Sequence, residues 1–253
     1  TTFLIDKQTP IVNITSDTYK YNGSPQGPNA ATNTGTGSSY TYSYSGTGGT
    51  TYGPSSTAPT NAGTYSVTVS VAASTDGFYN AASSAATAFT IATKTLTIGA
   101  ATIASKTYNG LTATGAITPG SLSGLISTQT LVVTATGTYA NANVGNGKSA
   151  TITYSLADGT NGGLAANYSL ANGSGTGNIT VASLTITANN DSKTYGQTKT
   201  YGAGSTAFTS SGLQNGETIG SVTMTASGGA TAASAVGNYT LTPSAATGGT
   251  FTT

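Results

Sequence analysis

Tyr19-Lys20-Tyr21-Asn22-Gly23, Lys106-Thr107-Tyr108-Asn109-Gly110 and Lys193-Thr194-Tyr195-Gly196-Gln197 are three versions of one stretch. The last Tyr of each falls at 21, 108 and 195, two equal steps of 87 residues. Self-similarity at a fixed period marks a chain built from successive copies of one supersecondary unit. A second marker keeps the step: Asn61-Ala62-Gly63-Thr64-Tyr65 and Val236-Gly237-Asn238-Tyr239 place Tyr65 and Tyr239 twice that distance apart. A third, Leu96-Thr97-Ile98 against Leu184-Thr185-Ile186, recurs after 88 residues and lies just ahead of the Tyr stretch. Each copy therefore opens on this strand, and Pro10-Ile11-Val12-Asn13-Ile14 takes its place in the first.

Between the markers, apolar or aromatic residues alternate with Thr and Ser. This period of two predicts strands over 65–71, 95–98, 130–134, 150–156, 184–187, 221–225 and 239–242. Asn22-Gly23, Asn109-Gly110, Asp76-Gly77, Asp158-Gly159 and Asn215-Gly216 supply the positive φ that tight turns require, and Gly46–Gly49 and Gly202–Gly204 read as loops. No stretch carries a helical apolar stripe over three turns. Several short strands per copy with frequent turn signals give an all-β chain of three tandem immunoglobulin-like β-sandwich modules. The alternative is β-grasp-like modules, whose sign would be a short helical turn near Leu164–Asn167. The modules run over 1–92, 93–180 and 181–253. Phe3-Leu4-Ile5 matches Phe89-Thr90-Ile91, so residues 1–5 read as the closing strand of a preceding module. The third module reads as lacking its own closing strand. An open sheet edge invites pairing, so neighbouring modules of the same array, or other copies of the chain in end-to-end or strand-complemented assembly, are the expected partners.

Only 5% of the residues are charged, against about 25% in an ordinary soluble domain. The alternating pattern, rather than a solvated coil, is what argues for a folded chain despite this. A net charge of +1 without a basic cluster excludes a phosphate-neutralising surface, so no nucleic-acid partner is expected. No apolar run approaches the length needed to span a bilayer, so no membrane insertion is expected either. His and Cys are absent, which removes the commonest general base, thiol nucleophiles, disulfides and thiolate metal sites together. The six carboxylates, Asp6, Asp17, Asp76, Asp158, Asp191 and Glu217, are scattered without close pairs, so neither a glycosidase dyad nor a calcium cage is expected. The chain reads as non-enzymatic, with no cofactor and no metal.

Some residues remain as binding candidates. Tyr40, Tyr42 and Tyr44 would share one face of a strand, and an exposed row of rings could stack on a glycan; the structural alternative is core or rim packing with each hydroxyl bonded to a carbonyl. Tyr21, Tyr108, Tyr195, Tyr65 and Tyr239 read as structural repeat markers. The pairing of Asp17 and Asp191 with nearby Lys reads as a solvated pair flanking a turn, with an internal Lys–Asn amide crosslink through Lys106 or Lys193 as the functional alternative. Thr93, Thr95 and Thr97 could form a hydroxyl face of the ice-binding kind, though Thr is simply favoured on solvated strands.

The Tyr-Asn-Gly opening, Asn-x-Gly-Thr-Tyr-Ser-Val-Thr around 61–68 and Gly-Asn-Tyr-Thr-Leu-Thr-Pro-Ser at 237–244 resemble the MBG domains of bacterial surface adhesins. The middle copy, from Lys106 through Ser121-Leu122-Ser123-Gly124-Leu125 to Tyr139-Ala140-Asn141-Ala142-Asn143-Val144-Gly145, is similar to the related YDG domain, with Asn109 where that family usually has Asp. The resemblance implies long tandem arrays on large secreted or surface-anchored proteins, with no catalytic residues to carry over. It therefore implies a structural stalk or filament segment of a large bacterial cell-surface adhesin, extracellular. A glycan-binding module using exposed tyrosines is the alternative.

Overall fold

The computed structural model describes residues 1–251. The first third of the chain forms β1 (Val12–Ile14), β2 (Tyr19–Lys20), β3 (Ala31–Asn33), β4 (Tyr40–Thr47), β5 (Gly63–Val71), β6 (Ala82–Ser83) and β7 (Thr87–Ala92). The middle third forms β8 (Lys94–Ile98), β9 (Thr102–Ile103), β10 (Lys106–Thr107), β11 (Ile117–Thr118), β12 (Leu122–Ser123), β13 (Leu131–Tyr139), β14 (Gly145–Asp158), β15 (Tyr168–Leu170) and β16 (Gly173–Thr180). The last third adds β17 (Thr185–Ala188), β18 (Phe208–Ser211), β19 (Ile219–Ala226) and β20 (Leu241–Gly249). The protein is all-β, and its strands form where the alternation of Val, Ile and Tyr with Thr and Ser lets one face be buried. In β5, Tyr65, Val67, Val69 and Val71 point inward while Thr64, Ser66, Thr68 and Ser70 point away.

Two sheets share one strand order. One runs β2-β7-β5-β4 and the other β10-β16-β14-β13. In both, the strand of the Tyr motif lies parallel to the closing strand, with Tyr19 opposite Ile91 and Lys106 opposite Ile179. The closing strand then runs antiparallel to the next, with Tyr65 opposite Phe89 and Lys148 opposite Gly177. The order of the last three strands is that of the C, F and G strands of an immunoglobulin-like sandwich. A second recurring pair joins each opening strand to a later one: β1 with β3, β8 with β12 and β17 with β18. The last third has this pair and β19 against β20, and among the described residues no strand follows β20 or pairs with Lys193-Thr194.

The chain condenses into two compact units. One contains residues 1–100, 119–135 and 153–172; the other contains 101–118, 136–152 and 173–253. The division passes through β13 and β14 and does not follow the 87-residue period. The core of the first unit is Tyr21, Tyr44, Tyr65, Val67, Val69, Val71, Phe89 and Ile91, extended by Leu96 and Tyr168 from the middle third. Phe89 is its hub, stacked on Tyr65 at 5.4 Å and met edge-on by Tyr44 and Tyr19. The second unit buries Ile103, Tyr139, Ala150, Ile152 and Ile179, and in the last third Val222 and Met224.

Local chemistry departs from expectation in three places. The turn expected at Asp158-Gly159 forms instead at Asn161-Gly162, whose φ values are 56° and 78°. Asp158 is occupied elsewhere, its Oδ1 accepting from the Ala165 N–H at 2.7 Å. Gly46 is a strand residue of β4 opposite Tyr65, and only Gly48 and Gly49 turn. The helical turn named as the sign of a β-grasp does form, as a single 3-10 turn over Ala165–Asn167. It leads into β15 and leaves the strand orders above unchanged.

One core contact is set by a glycine. A Cβ on Gly177 would collide with the Tyr139 hydroxyl and sit 2.9 Å from Ile103 Cγ2, so the ring of Tyr139 lies over bare backbone. That hydroxyl is buried with no hydrogen-bond partner. Gly177→Ala is expected to destabilise the second unit by about 1–3 kcal/mol through overpacking. Tyr139→Phe is expected to be neutral or stabilising by up to about 1 kcal/mol, because it deletes an unsatisfied buried group. Calorimetry of the two variants and their combination checks both, and the second change should recover part of the loss caused by the first.

Candidate functional site

The Tyr motifs form a recurring joint rather than a pocket. Tyr21 is 4% exposed, and its hydroxyl meets the Gln129 side-chain amide, 108 residues further on, with Gln129 Nε2 donating at 2.9 Å. Tyr168 donates its hydroxyl proton to Gln129 Oε1 and accepts the Ile126 N–H at 3.0 Å, while its ring meets that of Tyr21 edge-on at 5.3 Å. Burial pushes the Tyr168 phenol above its usual range. Gly23 has a φ of 80°, and a Cβ there would stand 2.8 Å from Ile126 Cγ2, so the turn of the Tyr motif seats directly on the loop that carries Gln129. Beside it the buried Asn167 accepts the Ala62 N–H at 2.8 Å and donates to Asn61 Oδ1 at 3.0 Å.

The same arrangement recurs one step along the chain. Tyr108 donates its hydroxyl to Glu217 Oε1, 109 residues further on, and Gly110, with φ 72°, abuts Asn215, whose Nδ2 donates to the Gly110 carbonyl at 3.3 Å. Gln129 and Glu217 sit in equivalent turns just before β13 and β19, each two residues beyond a residue with positive φ, Ser127 and Asn215. In both joints the Tyr motif is also tied to its closing strand, the Tyr21 N–H to the Ala92 carbonyl at 2.9 Å and the Tyr108 N–H to the Thr180 carbonyl at 2.8 Å.

The third motif differs. Tyr195 is 67% exposed. Its neighbour Lys193 pins the loop through the carbonyls of Gln197 and Thr231, as Lys106 does through those of Leu111 and Ala113. Lys106 also donates to Asn109 Oδ1 at 2.8 Å, and its partial burial lowers its pKa. An amide crosslink would need a carboxylate beside this Lys–Asn pair, and the contacts of Lys106 are to neutral oxygens.

Family models match the chain in two places, a YDG domain over residues 92–177 and an MBG domain of the YGX type over 184–252. The chain carries a YDG domain and an MBG domain. Neither a curated protein nor a solved structure matches it significantly. The joint of Tyr108, Gly110, Asn215 and Glu217 thus connects the YDG domain to the MBG domain, and the joint of Tyr21, Gln129 and Tyr168 connects the first third to the YDG domain. Both domain families are non-enzymatic and are associated with surface or adhesin-like proteins.

The remaining sequence candidates are placed as follows. Tyr40, Tyr42 and Tyr44 do share one face of β4, and it is the inward one. Tyr44 is 3% exposed and donates to the Pro28 carbonyl at 2.7 Å; Tyr42 donates to the Asn29 carbonyl at 2.7 Å; Tyr40 accepts from Asn33 Nδ2. An accessible row of three rings is therefore not formed. Tyr65 and Tyr239 each donate to the carbonyl four residues upstream, those of Asn61 and Ala235 at 2.8 and 2.9 Å, the geometry of a tyrosine corner. Thr95 and Thr97 face solvent on β8 and bond across to Ser169 and Ser123.

The carboxylates hold turns. Asp17 and Asp191 each accept the next residue's N–H at 2.7 Å, and Asp191 also pairs with Lys199 Nζ at 2.7 Å. Asp76 accepts from the hydroxyls of Ser74 and Thr36, both at 2.5 Å, and from the Phe78 N–H at 3.0 Å. Among the described residues no group of three His, Cys, Asp or Glu side chains could hold a metal. Gln129, Glu217 and Asn167 escape sequence reading because their partners lie about a hundred residues away, and Tyr168 because its partners Gln129 and Ile126 lie about forty away. The signal that could have found them is the matching offset of Gln129 and Glu217 from Tyr21 and Tyr108.

Gln129→Ala leaves two nearly buried phenols short of a partner and is expected to cost the first unit about 2 kcal/mol. In a double-mutant cycle with Tyr168→Phe the losses should be non-additive by about 1 kcal/mol, read by chemical denaturation. The Ser74 and Thr36 hydroxyls hold Asp76 below its ordinary value of 3.8. A depressed folded pKa gives stability that is present above the unfolded value and lost as pH falls through the folded one. The acid limb of the first unit's Tm profile below about pH 4 should therefore flatten in Asp76→Asn, and an unchanged limb would remove Asp76 from the account.

Proposed function

We propose that the chain is a length of stalk or filament from a large bacterial cell-surface adhesin, built of tandem β modules over 1–92, 93–180 and 181–253. It is non-enzymatic, acts outside the cell, and has neighbouring modules of the same array as its principal partners. The observation that carries this reading is the recurring joint: the Tyr motif of one module is seated on the turn before the β13- or β19-type strand of the next, with its hydroxyl on Gln129 or Glu217. A connection made by buried rings and side-chain hydrogen bonds transmits force without a flexible linker between modules, as a tandem solenoid-like array requires. Two further observations support it. Asp158 and Lys193 are spent on a turn N–H and on loop carbonyls, and both assigned domain families are associated with surface or adhesin-like proteins. No helix among the described residues is long and apolar enough to cross a membrane.

Pulling single molecules by their two ends tests the mechanical part. The modules over 1–92, 93–180 and 181–253 should release about 32, 31 and 26 nm of chain as they open, at about 3.5 Å per residue, and Gln129→Ala should lower the force at which the first opens. A single continuous extension without steps would end the tandem-module reading. Antibodies against the chain should label intact cells of the source bacterium, and labelling confined to permeabilised cells would end the surface reading.

A further inference from the structure

Within the first unit, the loop between β4 and β5 and the 3-10 turn ahead of β15 border a cleft of about 400 Å³. Small-ligand sites usually span about 300–1,000 Å³. The walls of this cleft are fixed by contacts already in place. Thr50 is pinned to β5, its Oγ1 accepting the Thr64 N–H at 3.2 Å. Gly63 supplies the bare backbone that this approach needs, since a Cβ there would stand 2.9 Å from Thr50 Cγ2. Tyr52 donates its hydroxyl to the Thr57 carbonyl at 2.7 Å and sets its ring perpendicular to that of Tyr65, 5.9 Å away. From the 3-10 turn, the buried Asn167 accepts the Ala62 N–H and donates to Asn61 Oδ1, so both amides are held.

The lining carries no charged side chain. A phosphate, sulfate or carboxylate would lose its water there without a cation to meet it, which disfavours an anion. A peptide finds no free strand edge either, because the lining comes from a loop, a turn and Tyr65 of β5, and β5 is already paired with β4 and β7. The cleft offers instead the Tyr52 ring and the part-exposed Leu164 methyls beside hydroxyls and amides. Among the described residues, neither the Thr60 hydroxyl nor Asn61 Nδ2 has a hydrogen-bond partner. A pyranose has the complementary surfaces: a C–H face that lies on an apolar ring, and a rim of hydroxyls that donate and accept at once.

We propose that this cleft binds one neutral hexopyranose unit of a glycan. Tyr52 and Leu164 take the apolar face of the sugar, and the Thr60 hydroxyl and the Asn61 amide take its hydroxyls. The side chains are anchored before the sugar arrives, so little ordering opposes binding. The tyrosine that carries the site is thus Tyr52, on a loop, and not the inward row of Tyr40, Tyr42 and Tyr44. The inference goes beyond the stalk reading and fails separately from it: a module that binds no sugar can still be a stalk module.

Titration of the full chain, followed by amide NMR, with the methyl glycosides of glucose, galactose, mannose and N-acetylglucosamine tests this. The expected result is that at least one of them produces saturable shifts at Asn61, Ala62 and the side-chain amide of Asn167. Leu164→Trp, which fills the cleft, should abolish these shifts. Leu164 enters the 3-10 turn through its carbonyl, which accepts the Asn167 N–H at 3.0 Å, so this variant should keep the parent melting temperature. Thr60→Val should weaken binding about tenfold, the equivalent of one lost hydrogen bond. Tyr52→Leu, which keeps an apolar contact for Tyr65, should weaken it as much. A panel in which no glycoside moves these signals overturns the proposal. So do shifts that persist in Leu164→Trp. Tighter binding of methyl glucuronide than of methyl glucoside also overturns it, because a site for a neutral ring gains nothing from a carboxylate.

Discussion

Backbone pairing of a closing strand on both its edges is the constraint from which the architecture follows. β7 and β16 each sit between the short strand of a Tyr motif and a long antiparallel strand, so one segment satisfies two rows of N–H and C=O groups at once. The apolar residues it carries inward, Phe89 and Ile91 in one sheet and Ile179 in the other, are buried by the same act. With few charges and few large side chains, a module of this composition has little else to stabilise it. Placing that strand is therefore what turns an alternating pattern into a closed core.

The joints follow from where that pairing puts the Tyr motif. Once Tyr21 and Tyr108 are fixed by their N–H groups on the closing strands, their rings project onward and meet the following domain. There the amide of Gln129 or the carboxylate of Glu217 receives the hydroxyl. A buried phenol is costly without a partner, so the contact selects a polar side chain at one position of an otherwise variable turn. Glycine at 23 and 110 lets the facing loops approach, and its positive φ is what turns the chain there.

The compact units and the 87-residue period disagree for a related reason. β14 has fourteen residues, about 45 Å of strand. Its two ends contribute to different cores: Leu156 packs against the core of the first unit, while Ala150 and Ile152 are buried in the second. Sequence periodicity follows the chain, whereas compactness follows side-chain contact.

Much of this protein was readable from its residues alone. Alternation of Val, Ile and Tyr with Thr and Ser dictated strands because only a two-residue period buries one face of a pleat. The step from Tyr21 to Tyr108 marked two sheets that share one strand order, whereas the motif at Tyr195 pairs with no strand among the described residues. Tertiary structure alone decided which tyrosines are core. Tyr40, Tyr42 and Tyr44 share a face by periodicity, but which face meets the core depends on Phe89, some forty-five residues later in the chain. Gln129, Glu217 and Asn167 act through partners about a hundred residues away, and only the fold shows Tyr65 buried against Phe89 while its counterpart Tyr239 is 44% exposed. Periodicity is a property of neighbours along the chain, and contact is a property of neighbours in space. Only the second could distinguish a joint from a turn.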